Sequence, residues 1–317
     1  MDKDARIYVA GGDTLAGGAL VRRLTACGYS NLVNGMDRSP DPRDCAAVDA
    51  FFDETAPAYV FIAGGKSGGI HANAARPAEL MLDNLTIACH LIDAAHRHGV
   101  RKLLYLASSC VYPKHAAPPM RPDALLTGPL EPTSEAYAVA KLAGITLCQA
   151  YRRQYGVDFI SGIPADVFGP GDDFSPDDSH VLAALMRRMH AAKIEGRNTV
   201  DIWGTGTPRR EFIFADDLAE ACILVMDVYS ESAPINLGGG ADLSIRELAT
   251  HIKGVVGYPG ELRFDVSRPD GMPLKALDSG VLRALGWQPR VPFPAALAQT
   301  YEWFCQLERR EDTVHAG

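Results

Sequence analysis

The chain has 317 residues and a mass of 34.1 kDa, enough for one large α/β unit with an annex, or for two domains. Its 31 basic and 39 acidic side chains give a net charge of −8, which excludes a protein organised around a basic nucleic-acid-binding face. No apolar stretch reaches the roughly 20 residues of a membrane span, no apolar leader follows Met1, and seven scattered cysteines without a CxxC fit reduced thiols rather than disulfides or a metal site. A cytoplasmic chain with no membrane, nucleic-acid or metal partner is expected.

Residues 7–10 form a short apolar run that ends in Gly11-Gly12-Asp13-Thr14-Leu15-Ala16-Gly17-Gly18. A helical pattern follows through Leu20, Leu24 and Cys27 and stops at Gly28. Leu32 and Val33 begin a second strand that ends near Asp37, and residues 59–63 form a third. Residues 78–98 have helical spacing and stop at Gly99; 102–106 are the next strand, followed by Ser108-Ser109-Cys110. Residues 135–155 are another long helix, introduced by Pro132, with Thr133 or Ser134 as N-cap, and closed by Gly156. Residues 159–163 complete the series.

Strands alternating with helices predict an α/β fold, a Rossmann doubly wound parallel sheet with right-handed crossovers. After Pro164 the rhythm loosens, with Gly-Pro-Gly at 169–171 and Gly-Thr-Gly at 204–206. This shift marks a smaller C-terminal substrate domain. The division expected is 1–165 plus about 212–242 for the dinucleotide-binding domain, 166–211 and 243–308 for the substrate domain, and 309–317 as a tail. Residues 211–216 and 234–237 read as strands returning to the main sheet. Ser244 to Glu247 is a capping box opening a helix through Val256, and the charged tail reads as a solvated helix end followed by disorder.

Three features carry chemistry. A dinucleotide pyrophosphate needs close backbone approach and a helix N-terminus; Gly11 permits the tight turn and Gly17 the close packing of helix on strand, although Thr14 stands where a central glycine is expected. Tyr137 and Lys141 share a helix face at i and i+4, so a cation near the phenol is expected to lower its pKa. That spacing is weak evidence by itself. Ser108, just past a strand end, adds a hydroxyl able to bind the same carbonyl oxygen, and together the three point to carbonyl redox chemistry on a Rossmann scaffold.

On these residues the chain resembles the extended short-chain dehydrogenase/reductase (NAD-dependent epimerase/dehydratase) family, from about Arg6 to Phe304. It is most similar to the branch that performs 3,5-epimerisation and 4-reduction of a GDP-4-keto-6-deoxyhexose. The specific stretches are Lys66 to Ile70, Ser108 to Lys114, Glu131-Pro132-Thr133, Ser179-His180-Val181, Trp203 to Pro208 and Arg210-Glu211-Phe212. The resemblance implies Ser108, Cys110, Tyr137, Lys141 and His180 as catalytic residues, with Cys110 the base and His180 the acid that invert C3 and C5. A thiol used in this way must be at least partly deprotonated. The resemblance also implies cofactor binding by Gly11, Asp13, Thr14, Leu15, Gly17, Asp37, Arg38, Ala63, Lys141, Pro164, Val167 and His180. Nucleotide-sugar binding falls to Arg188, Trp203, Arg210, Asp270 and Lys275, and a homodimer through the two long helices is implied.

The chain also departs from the pattern. The resemblance implies NADP(H), yet Asp13 and Asp37 occupy positions where arginines bind the 2′-phosphate. A carboxylate at the end of the second strand usually binds the ribose 2′-OH of NAD, so NAD(H) use or weakened NADP(H) preference is expected, with Arg38 able to restore phosphate binding. Asp166 replaces the usual asparagine. With Thr14, it leaves open another extended-family epimerase or dehydratase using NAD, or an enzyme that epimerises without net reduction.

Overall fold

The computed structural model describes residues 1–33, 39–268, 270 and 272–315. Strand β1 (Ile7–Ala10) is buried throughout and turns into helix α1 (Leu15–Ala26). Helix α2 (Cys45–Thr55), strand β2 (Tyr59–Ile62) and the short helix α3 (Ile70–Ala75) follow. Then come α4 (Pro77–Arg97), β3 (Lys102–Leu106), α5 (Glu135–Tyr155) and β4 (Asp158–Pro164). Helix α5 ends where Gly156 adopts φ 71° and donates its N–H to the Arg152 carbonyl, a left-handed cap suited to glycine. Ser134 occupies the N-cap but makes no side-chain cap bond.

Beyond β4 lie β5 (Asp166–Phe168), α6 (Val181–Ile194), β6 (Thr199–Trp203), β7 (Arg209–Phe214) and α7 (Ala215–Val228). The chain continues through β8 (Ile235–Leu237), β9 (Asp242–Ser244), α8 (Ile245–Val256), β10 (Glu261–Asp265), β11 (Leu274–Lys275), α9 (Gly280–Ala284) and α10 (Phe293–His315). Ser244 and Glu247 form the capping box of α8 as expected.

The main sheet is parallel with strand order β1-β2-β3-β4-β8. Leu32 adds one parallel bridge to Ile7 outside β1's other edge; the rest of the second expected strand, with Asp37 and Arg38, lies outside the described residues. The parallel sheet, buried on both faces, explains its continuous apolar strands. The 211–216 segment does not return to this sheet. Instead β7 pairs with β5 and β11 in parallel and with β9 antiparallel, while α7 packs on α1. The tail is also more ordered than expected, since α10 runs to His315.

Two hydrophobic cores result. One gathers β1–β4, β8 and the helices around them; the other is built from α6, β6, Phe168, Phe212, Phe214, α8 and α10. Among the described residues no helix is long and apolar enough to cross a membrane.

Candidate active site

The β1–α1 turn leaves no room for a side chain at Gly11 or Gly17. Gly11 has φ +80°, and a Cβ there would overlap Gly64 at the end of β2. A Cβ on Gly17 would overlap the Gly11 carbonyl oxygen. Thr14, placed where a glycine was expected, is the N-cap of α1. Its hydroxyl accepts from Gly17 N at 3.2 Å and donates to the Gly11 carbonyl at 2.8 Å, with Ala63 O at 3.3 Å. Thr14 therefore pins the turn to β2 instead of breaking the motif. The first turn of α1 carries N–H groups with no carbonyl of the helix to bond, so a backbone cradle and a helix N-terminus fit a dinucleotide pyrophosphate. Leu15 opens this helix, Asp13 is exposed beside it, and Pro164 and Val167 lie at the end of β4 and in β5.

Ser108 ends the segment after β3 and caps a short 3₁₀ turn, accepting from Cys110 N at 3.3 Å. Its hydroxyl faces the Tyr137 phenol on α5 closely enough to oppose the rise in that group's pKa. One turn along α5, Lys141 is buried and donates to the Leu106 carbonyl at 3.3 Å. Its ammonium lies 5.9 Å from the Tyr137 ring centroid and 5.4 Å from that of Tyr105. The expected lowering of the phenol's pKa by this cation is absent. Burial, reinforced by Cys110, pushes Tyr137 above its ordinary value against the Ser108 hydroxyl, and burial pushes Lys141 down to about 8. Desolvation of both partners outweighs their mutual attraction.

Cys110 is half-buried, and Lys275 from β11 approaches its sulfur at 3.8 Å. The same ammonium donates to Asp166 Oδ1 at 2.8 Å. Ser109 Oγ reaches that oxygen at 3.4 Å. Arg210 is held by the Met272 and Arg209 carbonyls at 2.6 and 2.8 Å and feels both Asp166 and Cys110. His180 is the N-cap residue of α6. Its loop is fixed from outside: Gly69 N donates to Asp178 O at 2.9 Å, and Arg76 pairs with Asp178. His180 is exposed, yet desolvation by the surrounding protein pushes its imidazole below the ordinary value, Lys275 reinforcing and Asp166 and Asp173 opposing.

Two expected substrate residues are held in structural hydrogen bonds, and a third stands open. The Arg188 guanidinium donates to Asp201 O at 3.0 Å and Ala184 O at 3.3 Å. Both Asp270 oxygens bind Thr205, at 2.9 Å to its N–H and 2.7 Å to its hydroxyl, and so hold the Gly204–Gly206 turn. Trp203 is 60% exposed, with Arg268 at 5.0 Å from its ring centroid.

Two buried groups went unread in the sequence. Asn84 donates to Lys66 O and Leu80 O while its own oxygen, packed at Gly65 beside Lys141, has no hydrogen-bond partner. Its signal was a polar residue within the apolar stripe Leu80, Ile87, Leu91. Glu211, read only as part of a motif, accepts from Leu277 N and Gly240 N at 2.6 Å each, which ties β7 to the two loops around it.

A glycine turn at the start of α1, with Ser108, Tyr137 and Lys141 gathered where β3 and α5 meet, defines a dinucleotide-binding α/β protein equipped for carbonyl chemistry. The chain belongs to the NAD dependent epimerase/dehydratase family, whose model matches residues 7–238. It is 50% identical over 303 residues to GDP-L-fucose synthase 1 of Arabidopsis thaliana, covering 96% of this chain and 94% of that protein. It is 44% identical to GDP-L-fucose synthase of Escherichia coli strain K12, covering 96% and 98%. Among solved structures, a Campylobacter jejuni GDP-6-OMe-4-keto-L-xylo-heptose reductase superposes with a TM-score of 0.90 at 33% identity, covering 97% and 99%. A GDP-L-fucose synthetase from Naegleria fowleri, bound to NADP, gives 0.89 at 27%, covering 98% and 96%.

Proposed function

We propose that the chain is a 3,5-epimerase/4-reductase of a GDP-4-keto-6-deoxyhexose, of the GDP-L-fucose synthase type. One observation carries this reading: Cys110 lies in the same charged cluster as His180, joined through Lys275 and Asp166, beside the Ser108–Tyr137 pair. A ketone at C4 acidifies the C3 and C5 protons, so a base and an acid on opposite ring faces invert those centres. Cys110 takes the proton and His180 returns one from the other side. Ser108 and Tyr137 hold the ketone oxygen as it gains charge, the largest single source of stabilisation in such chemistry, and Tyr137 protonates it during reduction. When bound, the nicotinamide cofactor supplies hydride; the 11–17 turn would hold its pyrophosphate and Lys141 its ribose. Lys275 and Arg210 face the sugar, and Trp203 offers an aromatic face to the nucleotide.

The first core carries the cofactor and the second the nucleotide sugar. The NADP bound by the Naegleria relative supports NADP(H); the exposed Asp13 carboxylate opposes a 2′-phosphate, so discrimination against NAD(H) is weakened. Two copies pair through α4 and α5, which expose Leu82 and Val139, and the enzyme works in the cytoplasm.

The test is incubation with GDP-4-keto-6-deoxy-mannose in deuterated water without reductant. Deuterium enters C3 and C5, C110S and H180N abolish the exchange, and Y137F retains exchange but loses the reduction seen once reduced nicotinamide cofactor is added. No label at either carbon without reductant, with reduction at C4 once reduced cofactor is supplied, defeats the reading in favour of a simple reductase.

A further inference from the structure

Thiol and imidazole make opposed demands on their surroundings. A base needs neighbouring cations that favour thiolate, and Lys275 and Arg210 are two. An acid needs to keep its proton, and Lys275 opposes an imidazolium at His180. Asp166 is linked to both groups: it holds Lys275, which reaches the Cys110 sulfur, and its charge acts on His180.

Asp166 is half-buried on β5 and accepts from Lys275 at 2.8 Å and from Ser109 at up to 3.4 Å. Lys275 in turn reaches the Cys110 sulfur at 3.8 Å. We propose that Asp166 is a positioning residue serving both halves of the acid/base couple: it anchors the Lys275 ammonium against Cys110 and supplies the counter-charge that lets a His180 imidazolium persist beside Lys275. This rests on the epimerase reading above.

The charges around it are few and named. Lys275 of β11 and Arg210 of β7 draw the Asp166 carboxyl below its ordinary range although crowding by protein pushes it up, with His180 adding to the pull. His180 faces Asp166, Lys275 and Asp173. Cys110 is flanked by Lys275, Arg210 and Tyr137, and Arg210 also feels Glu131. Glu211 and Tyr137 both feel Asp166. With Asp166 ionised, the two fixed cations carry one counter-charge and the cluster can hold thiolate and imidazolium together. With Asp166→Asn the fixed charge rises from +1 to +2, which favours thiolate and opposes imidazolium.

The measurement is alkylation of Cys110 by iodoacetamide across pH, resolved by mass spectrometry from the six other cysteines. The pH profile of isotope exchange is recorded beside it. For D166N the alkylation midpoint moves down by about one pH unit, near tenfold faster reaction on its acid side, and the alkaline limb of exchange moves down by a similar amount. K275M moves the alkylation midpoint the other way, which loosening of the fold does not do, because loosening exposes the thiol. If both variants keep the wild-type midpoint, the proposal falls. If the midpoints move but wild type exchanges no isotope, the proposal stands as electrostatics and the epimerase reading falls.

Discussion

Lys141 makes the active site expensive, and Lys141→Met measures by how much. The lysine is 6% exposed, and burial alone lowers its pKa from 10.5 to about 8. An unfolded chain binds this proton below 10.5, while the folded chain binds it only below about 8. Folding stability is therefore lost as pH falls through that window, and the loss is complete below about 8, at 1.36 kcal/mol per pH unit or about 3 kcal/mol. Methionine has similar length and no charge. It forfeits the hydrogen bond to the Leu106 carbonyl, worth about 1 kcal/mol. K141M is thus about 2 kcal/mol more stable than wild type at pH 7 while losing at least 100-fold in kcat. The paired measurement is urea denaturation of both proteins at pH 7 and pH 10, where the variant's advantage is about 2.5 kcal/mol smaller at the higher pH. A variant less stable than wild type at pH 7, or an advantage independent of pH, refutes the account of Lys141 as a buried charge held against its solvation.

Asp172 runs the opposite way: burial raises its carboxyl to about 7, and one of its oxygens lacks a hydrogen-bond partner. Wild type accordingly loses about 2.5 kcal/mol relative to D172N between pH 5 and pH 8, a slope that thermal denaturation of both proteins would show or deny. G17A places a methyl on the Gly11 carbonyl oxygen, so it should cost about 2–3 kcal/mol of stability and at least tenfold in cofactor affinity by fluorescence titration; wild-type binding would refute the turn as the pyrophosphate cradle. W203A removes an exposed ring and should change stability by less than about 0.5 kcal/mol. Its KM for the nucleotide sugar should rise about tenfold with kcat within about twofold, and an unchanged KM would remove Trp203 from the binding surface.

The elements that sequence made legible are those with local punctuation. Helix α5 has proline before it, a helical apolar pattern and Gly156 after it; α8 has its capping box. Strand β7 was recognisable as a strand over 211–216, but its sheet was not, because such a run looks the same whichever neighbour pairs with it. The partners β5, β9 and β11 are distant in sequence. The Tyr137–Lys141 spacing showed a shared helix face, while the direction of both pKa shifts depended on burial, which spacing does not encode. Asp166 was visible as a departure and Lys275 as a substrate-binding residue, yet they are 109 residues apart and no local rule pairs them. The charged end of α10 read as a helix end followed by disorder, because a solvated helix and a solvated coil share the same composition.

The arrangement of the cluster follows from the two cores. Ser108, Cys110, Tyr137 and Lys141 sit on β3's exit and α5, elements of the first core, while His180 and Arg210 begin α6 and lie on β7, elements of the second. Epimerisation needs its base and acid on opposite faces of one ring, so they must come from opposite walls, and a seam between two cores supplies opposing walls. The seam also solves an electrostatic problem. Charges such as Asp166, Lys275 and Arg210 could not be gathered inside either core without a large desolvation cost, but at the junction Asp166 and Lys275 keep 31% and 15% of their side-chain surface open. Tyr137 and Lys141, by contrast, are buried on α5, an element of the first core, which keeps the groups proposed for carbonyl reduction dry.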